Sequence, residues 1–165
     1  MIDLIENSAY AIWVRESPSI WAYTTILSLH AMGLAIVVGI NTMVALRLIG
    51  YVPEIPIAKL RQLYPWMYLG FTVNAASGLS LLAANLTNDL HNWMFFVKLS
   101  MIALAMINLE MTRMRVFDHP LVVNGTGVPA EAKRFAIASI VFWTIAIIAG
   151  RLTEYPSFVR AWFGF

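Results

Sequence analysis

Cysteine is absent from the 165 residues. Disulfides, thiolate metal centres and thiol nucleophiles are therefore excluded. Charge is scarce: Asp, Glu, Lys and Arg make up 12 % of the chain, against about 25 % in a soluble globule. The net charge of +2 is too small for the electrostatic footprint of a nucleic-acid binder, so nucleic acid is excluded as a partner. No phosphate-cradling glycine loop, paired carboxylates or activated nucleophile is legible, and there is no internal repeat. The N-terminus does not read as a cleavable signal, because Asp3, Glu6, Arg15 and Glu16 interrupt any short apolar core.

What the chain has is apolar length. Hydrophobic residues make up 60 % of it, and the mean hydropathy is +0.73. Residues 21–46 and 63–88 carry no Lys, Arg, Asp or Glu, residues 93–109 carry only Lys98, and residues 135–150 end against Arg151. A helix needs about 20 apolar residues to cross the hydrocarbon core. The fourth run meets that length only with Arg151 snorkelling at its end. Runs this long without alternation do not suit strands. The expected fold is all-α: an integral membrane four-helix bundle forming a single transmembrane domain over 1–165. Its expected spans are approximately 20–48, 63–86, 92–114 and 134–153.

The remainder is short. Residues 2–14 read as one amphipathic helix lying in the membrane interface, with Pro18 opening the first span. Pro53 and Pro56 mark the first connection, and Pro65 the start of the second span. Residues 87–92 read as a tight turn, and 117–131, with Pro120, Gly125, Gly127 and Pro129, as an irregular link. Trp162, Phe163 and Phe165 place the tail at the interface.

Basic residues set the expected orientation. The first and third connections hold Arg47, Lys59, Arg61, Arg113, Arg115, Lys133 and Arg134, whereas the opposite side holds Arg15, Arg151 and Arg160. This asymmetry places the first and third connections in the cytoplasm and both termini outside. In a bacterium the protein is then a multi-pass protein of the inner membrane with periplasmic termini.

That orientation gathers the polar residues. His30 falls roughly 11–14 Å into the first span and Lys98 roughly 8 Å into the third, while Arg151 closes the fourth. Ionisable side chains at membrane depth are costly and usually face the bundle or a cavity. Asn74 and Ser77 sit mid-way along the second span. Asn41 and Asn108 extend the stripes that carry His30 and Lys98, which suggests one inward-facing polar seam.

His30 is the sharpest candidate. Its imidazole suits a metal, either haem iron or copper, or else bonds a neighbouring helix. Lys98 either faces an anionic group, such as a haem propionate or a quinone oxygen, or snorkels to the surface. Arg151 either does the same or pairs with Glu154. Two cations beside one histidine call for an anion, which favours a bound anionic ligand. Met94, Met101 and Met106 are candidate soft ligands to haem iron or Cu(I), with core packing as the alternative. His91 lies at the membrane edge and His119 on the other side, so no second axial ligand is evident. The spans read as free of acidic residues, so a carboxylate proton relay is not expected. The candidate cofactor-binding set is His30, Lys98, Arg151, Asn74 and Ser77, with His30 as the metal ligand.

The run SLHAMGLAIVVG at 28–39, the second-span run LYPWMYLGFTVNAASGLSLLAAN and the third-span run NWMFFVKLSMIALAMIN resemble an uncharacterised family of small bacterial four-helix membrane proteins over most of the chain. His30, Gly78, Phe95 with Lys98, Asn108, and Gly150 with Arg151 carry that likeness. More distantly, the chain is similar to the copper-resistance D membrane proteins and to the four-helix membrane protoporphyrinogen oxidase. The latter is haem-associated, and His30 and Lys98 match its first-helix histidine and third-helix lysine. The histidine that often closes its third helix has no counterpart, since Asn108 and Glu110 stand there.

The functional expectation is a small b-type cytochrome-like or quinone-interacting subunit, transferring electrons near the periplasmic face. Haem b is the expected cofactor, with copper or quinone as alternatives. The expected partners are the lipid bilayer and other membrane or periplasmic subunits. Two other classes stand beside it: a cofactor-free accessory subunit of a larger membrane complex, and a copper-handling protein using His30 and methionines.

Overall fold

The computed structural model describes residues 2–155. Two short helices, α1 (Ile2–Glu6) and α2 (Ala9–Glu16), precede the first long helix, α3 (Tyr23–Ile49). Next come α4 (Ile57–Ala84), α5 (Leu86–Leu90), α6 (Trp93–Phe117), α7 (Pro120–Val123) and α8 (Ala132–Thr153). The described residues are all-α, and α3, α4, α6 and α8 are long and apolar enough to cross a bilayer. The shortest, α8, has 22 residues and is about 33 Å long, enough for a hydrocarbon core of about 30 Å.

The four long helices form a multi-pass membrane bundle whose outer surface is strongly apolar and whose mainly apolar interior holds several polar side chains. Asn41, Asn74, Ser77, Asn108 and Ser139 are buried, while Leu29, Met32, Leu79, Leu99, Ile107 and Ile148 are exposed. In water such an arrangement would forfeit the hydrophobic driving force; in lipid it is the low-energy one. Exposed Trp21 and Trp93 at one end, and Trp66 at the other, suit the two membrane–water boundaries.

The bundle is two antiparallel hairpins. Helix α3 packs along α4 and α6 along α8, and the hairpins join through α3 and α8. Small residues allow the first pairing: a Cβ on Gly33 would lie 2.7 Å from both the Asn74 nitrogen and the Gly70 oxygen. The backbones therefore meet directly, as at other close membrane helix contacts. Polar bonds tie both joints to α8: between hairpins Ser139 Oγ donates to Asn41 Oδ1 at 3.0 Å, and within the second hairpin Asn108 Nδ2 donates to the Phe135 carbonyl at 3.0 Å. Asn41 and Asn108, both buried, thus tie their helices to α8.

Packing is uneven along the bundle. The largest buried cluster lies at the end away from the N-terminal helices and includes Leu48, Tyr64, Met67, Leu109, Phe117 and Ala136. There the Tyr64 ring meets Phe117 edge-on at 5.3 Å, and the Tyr68 hydroxyl bonds Glu110. Glu110 lies within α6 and also pairs with Arg113 at 2.9 Å, so a carboxylate does stand inside the third span. At the N-terminal end the buried cluster shrinks to Met94 and Ala149.

Several local expectations are revised. The segment 2–14 is two helices, because Ser8 caps α2 by accepting from the Ala11 amide at 3.2 Å. Helix α2 packs on α4, with Ala11 and Val14 fully buried. Helix α3 begins at Tyr23, after a turn that follows Pro18. Helix α4 starts earlier than expected, since Pro56 precedes a helical turn that runs through a 3₁₀ segment past Pro65. Residues 87–92 are mostly helix α5 rather than a tight turn. The link after α6 holds helix α7 and opens from a π-helical turn, Arg113–Phe117. The tail aromatics and Arg160 lie outside the described residues.

The close approach of α3 and α4 is testable. Gly33→Ala is expected to lose about 1–3 kcal/mol from overpacking against backbone. Gly39→Ala, whose new Cβ meets nothing within 4 Å, is expected to be unchanged or to gain up to about 1 kcal/mol. Thermal unfolding in detergent reads both, and equal midpoints would contradict the contact.

Candidate functional site

Where packing thins, a cavity of about 610 Å³ opens among all four long helices. Ligand sites typically span about 300–1,000 Å³. Its apolar walls include Leu27, Leu34, Leu81, Phe95, Ile102 and Ile147. Its charged residues are Arg15, Asp89, Lys98, Arg151 and Glu154. Asp89 comes from α5 and Arg15 from α2, and the rest lie in the first turns of α6 or at the end of α8. The charges therefore gather at the N-terminal end of the bundle and the apolar surface lies deeper.

His30 occupies the α3 wall and is anchored entirely by α4. Its Nδ1 lies 2.9 Å from the Asn74 carbonyl oxygen. A carbonyl only accepts, so Nδ1 carries the proton and Nε2 holds the lone pair of the neutral ring. Asn74 Nδ2 returns a bond to the His30 carbonyl at 2.8 Å, and Ser77 Oγ stands 3.3 Å from Nδ1. Gly78 leaves room for the ring: a Cβ there would lie 3.0 Å from His30 Cε1. No hydrogen bond among the described residues engages Nε2. A backbone carbonyl on one imidazole nitrogen fixes the tautomer and the orientation of the ring.

Lys98 and Arg151 approach from the other hairpin. The Lys98 stem lies over Gly150, where an added Cβ would stand 3.5 Å from its Cδ and 4.0 Å from its Nζ. Arg151 does not form the expected pair with Glu154. Instead it donates to the Tyr155 hydroxyl at 2.9 Å and sits over that ring, 5.1 Å from the centroid. Aromatic contact suits guanidinium because it is weakly hydrated and planar.

The charge argument also changes. Asp89 and Glu154 share the wall with Arg15, Lys98 and Arg151, and Arg15 is itself paired with Glu16 at 3.0 Å. The protein supplies most of the counter-charge that seemed to be missing. Burial, and secondarily repulsion by Glu154, push the Asp89 carboxyl above its usual range, with Lys98 opposing them. Asp89 and Arg15 were missed because nothing in the sequence shows α5 or α2 turning their polar residues toward the spans. The lack of apolar length in those segments was the only available signal.

Of the five sequence candidates, His30, Asn74, Lys98 and Arg151 line the cavity, and Ser77 meets His30 from behind. No methionine lines it, and Met94 packs with Ala149. His91 is exposed, with Nδ1 2.6 Å from the Thr87 carbonyl. His119 caps α7 by accepting from Leu121. The described residues contain no group of three or more His, Cys, Asp or Glu arranged to hold a metal ion. Trp143 stands in the wall with the one buried side-chain polar atom that no described acceptor meets, its indole Nε1. Such an unmet donor costs about 1–3 kcal/mol.

No known protein family, curated protein or solved structure matches the chain.

The Asp89 environment makes a pH prediction. A carboxyl raised in the folded state costs stability as pH rises from the ordinary 3.8 through the folded value, because the folded state then holds the proton more tightly. Asp89→Asn is expected to raise the unfolding temperature at neutral pH, with the difference closing as pH falls toward 3.8. A pH-independent difference would rule out this origin.

Proposed function

We propose that this protein is a small b-type cytochrome-like subunit of the bacterial inner membrane, holding haem b through His30 in a cavity that faces the periplasm. The observation that carries the reading is the His30 imidazole in the wall of an amphipathic cavity, held through Nδ1 by the Asn74 carbonyl and with no described hydrogen bond on Nε2. Haem b is itself amphipathic, with an apolar macrocycle and two carboxylates on one edge. The apolar walls suit the first part, and Arg15, Lys98 and Arg151 suit the second. When bound, haem would supply one-electron redox chemistry. The chain's own part is to orient the imidazole, exclude water and neutralise the carboxylate edge. Its partners are then periplasmic or membrane electron carriers.

The basic residues of the first and third connections support the orientation, with both termini in the periplasm. A copper site built from His30 and methionines is less well served, since no methionine lines the cavity. A quinone in the same cavity is the second reading. It is served by the same apolar walls with polar groups at one end.

Detergent-purified protein is expected to show a Soret band and a reduced-minus-oxidised α band at one haem per chain. His30→Ala is expected to abolish both while keeping helical circular dichroism. Gly78→Leu, which fills the space beside His30 Cε1, is expected to weaken haem retention at least tenfold. Colourless protein that yields stoichiometric quinone on solvent extraction would favour the second reading. Pigment that survives His30→Ala unchanged would end the first.

A further inference from the structure

We infer that the cavity opens sideways into the bilayer between α3 and α8, and that it admits from the lipid an amphiphile with a hydrogen-bond-accepting head. This inference rests on the reading of the cavity as a ligand site and concerns the route by which that site fills.

The hairpins part on this side. The first half of α3 is held to α4 by the bonds between His30 and Asn74 and by the contact at Gly33. The last turns of α8 are held to α6, where Ala149 packs with Met94 and the capping Asn92 donates to the Thr153 carbonyl at 3.0 Å. No described hydrogen bond joins residues 23–31 to residues 146–154. Instead each edge carries residues that line the cavity and are also exposed: Leu27 and Ala31 on α3, Ile147 and Arg151 on α8. Residues of that kind mark a mouth, and three of these four are apolar, which suits a mouth facing hydrocarbon. On the α4 and α6 side the lining is covered: Phe95 is buried, and Leu81, Lys98 and Ile102 are half-buried.

The cavity also has the polarity of one leaflet. Its deepest residues on α3, α6 and α8 are Leu34, Ile102 and Trp143, which pack into one buried cluster. Counted from the near ends of their helices they lie roughly 13–17 Å deep, halfway through a hydrocarbon core of about 30 Å. The charged residues stand at the opposite, shallow end. A bilayer amphiphile already holds its head at the water boundary and its body inward. It can therefore move sideways into the cavity without drawing its head through hydrocarbon. Lys98 waits at the shallow end with three donors, and no described hydrogen bond or ion pair engages its ammonium.

The probe is a palmitic acid analogue with a diazirine in its chain, present in phosphatidylcholine vesicles that carry the full chain. After irradiation, peptide mass spectrometry is expected to find label on Leu34 and Ile102 as well as on the outward-facing Leu79 and Leu99. Ala31→Trp and Ile147→Trp, which narrow the gap, are expected to lower the cavity label several-fold and to leave the outward label unchanged. Leu29→Trp adds bulk to an exposed α3 position outside the cavity lining and is expected to change neither. Cavity label that survives both gap variants would overturn the lateral route, and label confined to Leu79 and Leu99 would overturn the inference altogether. Lys98→Met is expected to lower the cavity label, and equal label would remove the ammonium from the site. Excess hemin is expected to displace the cavity label; label that persists would end the haem reading and leave the route standing.

Discussion

The contact between α3 and α4 at Gly33 and Gly70 is the constraint on which the site depends. Two backbones that meet this closely can exchange hydrogen bonds between a side chain on one helix and the main chain of the other. His30 and Asn74 do so in both directions, at 2.9 and 2.8 Å. The carbonyl of Asn74 belongs to a helix interior, so it is a fixed acceptor that holds the imidazole in one orientation. With a bulkier residue at position 33 the helices would stand apart and the ring would lose its anchor. The site is thus a product of helix spacing before it is a product of any polar residue.

The cavity follows from how the hairpins are joined. Helices α3 and α8 share a seam closed by Asn41 and Ser139. Helices α4 and α6 are bridged chiefly at the far end, where Tyr64 and Tyr68 reach Leu109 and Glu110. Large buried side chains fill that end and few are buried at the other, so the space between hairpins widens toward α5. Charged residues then collect where the widening meets the water boundary, which is the cheapest place for them in a membrane protein.

Most of the fold was legible in the sequence, because a stretch of uncharged residues longer than the bilayer is thick has few other solutions. The four spans and the inward placement of His30 and Asn74 follow from that and from helical periodicity. The missed parts have a common physical origin. Short polar segments carry no periodic signal strong enough to fix where they pack. The burial of Ala11 and Val14 against α4, the helix at Leu86–Leu90 and the entry of Asp89 into the wall were therefore hidden. Glu110 was passed over because the uncharged run was measured only to its edge. The Arg151–Glu154 pairing failed for a different reason: Tyr155 offers both a hydroxyl and a ring face to the guanidinium.

The division of the wall between two hairpins has a mechanical consequence. The imidazole is rigidly part of one hairpin and the Lys98 ammonium part of the other, and a few amide and hydroxyl contacts form the polar clasp between them. Any sliding along that clasp changes the gap between base and cation without breaking a bond inside either hairpin. The distance from base to cation is therefore set by how the hairpins meet and not by the bonds within either one.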